Sequence, residues 1–118
     1  MNFNTNFQVK DNDLKITDGN NERIVSFKFP IRQVLPFESC YVVLIEPAIG
    51  QILNENIYGV SLDGKVLWQI TPIPYVYEDS PYTGMGQVGD TVKICNWDGT
   101  DLIINPATGE ILEKGYSK

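Results

Sequence analysis

"NIYGVSLDGKVLWQI" (residues 56–70) decides the fold of this 118-residue chain. A strand-like run ends at Leu62, Asp63-Gly64 interrupts it, and apolar residues return from Val66 through Trp68 to Ile70. Two β-rich runs around an Asp-Gly pair read as a hairpin, because the glycine supplies the positive φ that a tight turn requires. The same grammar extends outward in both directions. Strand-like runs fall at about 5–9, 13–17, 23–29, 31–35, 40–46, 56–62, 66–70, 91–97, 101–105 and 110–114. Turn residues separate them: Asp11-Asn12, Asp18 to Asn21, Pro36, Pro47 to Gly50, Asp98-Gly99 and Pro106 to Gly109. No window of about a dozen residues shows helical apolar spacing free of Gly, Pro or β-branched clusters. The expected fold is all-β, a single domain of about 8–10 antiparallel strands.

Two runs differ in how deeply they should lie. "CYVVLIE" (40–46) is apolar on both faces, which predicts a central strand covered on two sides. "TVKICNW" (91–97) alternates, with Val92 and Ile94 on one face and Thr91, Lys93 and Cys95 on the other, so it should be half exposed. The opening hairpin also has an echo in "DGTDLIINPATGEILEKGY" (98–116), where Thr108-Gly109-Glu110 matches Asp63-Gly64-Lys65. The two turn glycines lie 45 residues apart, a plausible repeat period. The chain then divides into an N-terminal meander (1–30, with "ITDGNNERI" as its loop) and two four-strand repeats, 31–71 and 75–116. Two blade-like meanders packed as a sandwich or partly open barrel are expected. Each would leave an open edge, through which a homodimer could form by edge pairing.

On these residues a resemblance can be named. "LDGKVLW" and "NPATGEIL" resemble the strand-turn-strand repeats of quinoprotein-type β-propeller blades, with Glu113 where the second Trp would stand. The resemblance implies blade-like sheets and carries no quinoprotein chemistry. The chain as a whole resembles small bacterial all-β proteins of immunity-protein type, with a core around "NIY" and "LWQI" and a tail of "NWDG" and "TGEIL". Members of that group appear alongside toxin–immunity genes. This implies an intracellular inhibitor of a toxin.

Charge and composition narrow the classes. The formal charge is −6, and the segment from Gln33 to Val92 carries all of it: seven acids against Lys65. An acidic surface disfavours nucleic acid and anionic lipid and speeds encounter with a basic protein. The N-terminal run "MNFNTNFQVKDN" has neither the basic nor the apolar region of a signal peptide, so a cytoplasmic location is expected. Two cysteines, Cys40 and Cys95, sit in apolar strands and read as buried reduced thiols. No histidine is present, which removes the commonest general base and transition-metal ligand.

Nothing in the sequence marks a nucleophile with its base. Glu78 or Asp79 with Asp98 or Asp101 could form a carboxylate pair, but turns and solvated acids explain all four. "DNDLKITDGNNE" misses the calcium-loop spacing. A non-enzymatic protein without cofactor or metal is expected. The longest stretch lacking strand pattern is "TPIPYVYEDSPYTGMGQVGD" (71–90), and long loops in compact domains are often functional. Tyr75, Tyr77 and Tyr82 there surround Glu78 and Asp79, and Trp97 with Asp98 ends a nearby strand. Tyrosine and tryptophan provide contact area at low entropic cost, and the carboxylates suit Lys or Arg. The expected partner-binding set is Tyr75, Tyr77, Glu78, Asp79, Tyr82, Trp97 and Asp98, docking a basic toxin. The alternative is a small-molecule binder or phage-type inhibitor with an aromatic-lined pocket. An anionic ligand would need Arg23, Lys28, Arg32 and Lys93 to converge.

Overall fold

The computed structural model describes residues 5–116, and among them eleven strands and no helix. β1 (Thr5–Lys10), β2 (Asp13–Asp18) and β3 (Asn21–Ser26) form the first sheet. β4 (Ile31–Pro36), β5 (Cys40–Ile45), β6 (Ile57–Ser61) and β7 (Val66–Gln69) form the second. β8 (Tyr82–Val88), β9 (Thr91–Asn96), β10 (Thr100–Ile104) and β11 (Ile111–Tyr116) form the third. Every pairing is antiparallel between chain neighbours, so each sheet is a meander. The fold is all-β and compact, and the three sheets stack without closing into a barrel.

β5 shows why the middle sheet lies where it does. All six of its residues are buried, and its side chains alternate between two cores. Tyr41, Val43 and Ile45 meet Leu14, Ile16 and Val25 of the first sheet. Val42 and Leu44 meet Val92, Ile94, Leu102 and Ile104 of the third. The two-faced apolar run thus makes a strand covered on both sides. β9 keeps its alternating pattern, with Val92 and Ile94 buried and Thr91, Lys93 and Cys95 only partly covered. The far face of the first sheet is polar apart from Ile24, and is tied by Lys15–Glu22 at 3.1 Å and by Ser26 to Asp13 at 2.7 Å.

Three details go beyond the expectation. The strands number eleven among the described residues rather than eight to ten, because Tyr82–Val88 is a strand within what reads as a patternless stretch. Its sheet positions include Gly84 and Gly86, which lack the side chains that would display alternation. The N-terminal meander forms a sheet of its own whose Leu14 and Ile16 are fully covered, so that it stacks as a third sheet beside the two blade-like ones. Within "ITDGNNERI" only Gly19 and Asn20 lie outside the paired strands, because β2 and β3 remain in register from Asp18↔Asn21 onward.

The glycines of the two echoed hairpins, Gly64 (φ 87°) and Gly109 (φ 75°), both occupy the left-handed region. Cys40 is buried, Cys95 is partly covered, and both are free thiols. No helix in the described residues is long and apolar enough to cross a membrane.

Candidate functional site

Residues 71–81 connect the second sheet to the third, and buried side chains hold the segment down. Asn56, fully buried at the start of β6, donates from Nδ2 to the carbonyls of Ile45 (2.8 Å) and Tyr82 (2.9 Å) and accepts from Tyr82 N–H at 2.9 Å. Asn54 repeats the device one step along, donating to Glu78 O and accepting from Ser80 N–H, both at 2.8 Å. Asn96, at the end of β9, donates to Ser80 O at 2.8 Å. Three asparagines therefore tie one connector to two sheets. An amide both donates and accepts, so it can pair with backbone groups that no strand neighbour reaches.

Asp98 completes the anchorage. It is 2% exposed, and its carboxylate accepts Thr100 N–H at 2.8 Å and Val76 N–H at 3.1 Å. Burial by itself raises this carboxyl, but the hydrogen bonds from Thr100 and Val76, with the charge of Lys114, outweigh burial and hold it below its ordinary value.

The anchored connector turns Val76 (59% exposed) and Tyr77 (57%) outward, with Glu78 and Asp79 exposed beside them. Trp97, 62% exposed, lies beside this connector: its backbone N–H donates to Pro81 O at 2.9 Å, and its neighbour Asp98 holds Val76. The structure thus leaves Tyr77, Glu78, Asp79 and Trp97 exposed on or beside one connector and adds Val76, whose exposure sequence patterning does not reveal.

The other three residues of the expected set lie differently. Tyr75 is half-buried and donates to Glu55 Oε2 at 2.6 Å; burial, with this bond to a carboxylate, raises its pKa. Tyr82 is 2% exposed, and burial above all pushes its phenol up to about 12. Tyr82 and Asp98 are therefore inward-facing supports and present no side-chain surface to a partner. Tyr82 fills core beneath the connector, and Asp98 is consumed in satisfying backbone N–H groups.

Of the four basic residues considered for an anion site, two are engaged with carboxylates: Arg32 pairs with Glu46 at 2.8 Å and Lys93 with Asp101 at 3.6 Å. Among the described residues no three Cys, Asp or Glu side chains group as a metal site. Burial raises the pKa of both thiols, with Asp101 adding to the effect at Cys95, so neither has the lowered pKa of an activated nucleophile.

Among solved structures, the fold is similar to that of the computationally designed Ika8 protein, with a TM-score of 0.66 at 12% identity over 100% of this chain and 35% of that one. It is also similar to BamB from Moraxella catarrhalis, with a TM-score of 0.63 at 16% identity over 93% of this chain and 34% of that one. The chain thus spans about a third of the length of each, and its strand-turn-strand sheets resemble the β-propeller blades of BamB. No curated protein matches the chain. A family model described as a domain of unknown function (DUF7957) matches residues 4–116, and the chain belongs to that family.

Proposed function

We propose that this protein is a non-enzymatic binding protein that docks a basic protein partner, most concretely a toxin whose cationic site it occludes within the cytoplasm. The observation carrying this reading is the face made by Val76, Tyr77 and Trp97, each more than half exposed, beside the carboxylates of Glu78 and Asp79. Exposed aromatic and aliphatic groups gain by losing water on contact. The carboxylates beside them set the sign of the partner's charge and speed its encounter. Because Asn54, Asn56, Asn96 and Asp98 hold the connector in place, little chain entropy is lost when the face is covered.

The test is affinity capture with the tagged full-length protein from its own host, at low and high salt, with partners identified by mass spectrometry. One basic partner should be retained at low salt, released at high salt, and lost from the E78K/D79K and W97A variants. Capture that survives both variants would contradict the reading.

A further inference from the structure

The turn between β8 and β9 lies at the opposite end of its strands from Trp97. Around that turn the three sheets enclose a cleft of about 700 Å³, a volume typical of small-molecule sites. Phe7 comes from β1, Phe37 and Glu38 from the β4–β5 turn, Tyr41 from β5, and Gln87 and Asp90 from β8 and its turn. No single sheet builds it.

The chemistry of the lining is one-sided. Phe7 meets the Tyr41 ring edge-on, with ring centres 5.2 Å apart. Tyr41 is 3% exposed and packs its ring into the base of the cleft's lining. Gln87 donates its Nε2 to Gly89 O at 3.0 Å, which leaves its Oε1 as an acceptor. Glu38 and Asp90 are exposed at the rim, and neither forms an ion pair among the described residues. Among the described residues the lining contains no Lys or Arg.

An anion entering here would lose water and meet two carboxylates. A neutral apolar molecule would cover the rings and leave the acids without a partner. Only a cation on an apolar body uses both features, because aromatic faces attract positive charge and the acids pair with it.

We infer that this cleft binds an organic cation: a primary amine or guanidinium carried on a flat apolar body. The site is separate from the Tyr77–Trp97 face and does not depend on the docking reading.

The test is an amide-shift titration of the ¹⁵N-labelled full-length protein with three probes of one shape: phenethylamine, phenylacetate and 2-phenylethanol. Phenethylamine should give saturable shifts at Phe7, Phe37, Tyr41 and Gly89, with an affinity about tenfold above the other two. The E38Q/D90N variant alters two exposed side chains and should keep its melting temperature while binding phenethylamine about tenfold more weakly.

A capped Phe-Arg amide separates two sources of the cation. Tighter binding than phenethylamine indicates a protein side chain, and weaker binding indicates a free amine; both rankings support a cation site. Absence of saturable shifts with phenethylamine at millimolar concentration, equal affinity for all three probes, or unchanged affinity in E38Q/D90N would each overturn it.

Discussion

Trp68 of β7 lies against Gly109, the turn glycine between β10 and β11, so closely that a Cβ on Gly109 would sit 2.6 Å from the indole. The same ring covers Gly59, its cross-strand partner, where a Cβ would overlap it outright. Its Nε1 donates to Pro106 O at 2.9 Å, an oxygen that the Cys40 thiol also reaches at 3.3 Å. The tryptophan of one hairpin therefore docks on the turn of its echo, and joins the second sheet to the third.

That joint should dominate the stability of the sheet interface. Trp68→Ala removes a large ring from the edge of the core and should cost about 3 kcal/mol. Trp68→Phe keeps a ring but loses the bond to Pro106 and should cost about 1 kcal/mol. Gly109→Ala is strained by both φ and contact and should cost about 2 kcal/mol. Urea denaturation of the three variants checks the order.

Asn56→Ala should be equally damaging despite the small side chain. It leaves the Tyr82 N–H and the carbonyls of Ile45 and Tyr82 without their amide partner in a fully buried place. Such groups cost about 1–3 kcal/mol each when unsatisfied, so a total loss of about 3 kcal/mol is expected. Asn56→Asp should not rescue it, because a carboxylate cannot donate to two carbonyls.

Acid should loosen the connector through Asp98. Its folded-state pKa lies below the ordinary 3.8, so its stabilisation is full above that value and is lost as pH falls through the folded pKa. Asp98→Asn should cost about 1–2 kcal/mol at neutral pH, and its deficit should narrow as pH drops below 3.8. Melting curves of both proteins from neutral to strongly acid pH check the convergence.

Much of this architecture is legible in the sequence, for reasons that reside in particular residues. Tyr41–Ile45 has no polar face, so a strand between two layers is its natural place. Asp63-Gly64 and Thr108-Gly109 announce their turns through glycine geometry. β8 is hidden because Gly84 and Gly86 erase the alternation that would reveal it. Asp98 reads as a surface acid, and only its position two residues before Thr100 hints that it caps backbone N–H groups instead. The cleft cannot be read locally at all, since Phe7, Phe37 and Asp90 meet only when three sheets stack.

The proposed docking role predicts a division of labour among the residues of this face. Glu78→Lys and Asp79→Lys should slow association with a basic partner and reduce its salt dependence. Tyr77→Ala and Trp97→Ala should chiefly speed dissociation, each weakening binding by about 1–3 kcal/mol. Surface plasmon resonance on the captured partner separates the two effects.

The most direct measurement is photocrosslinking in the native host with p-benzoylphenylalanine placed at position 77, and at position 24 as a control on the exposed Ile24 of the first sheet. A single basic protein crosslinked from position 77 and absent from position 24 is the predicted result. The same pattern of crosslinks from both positions, or none from position 77, would contradict a docking role for this face.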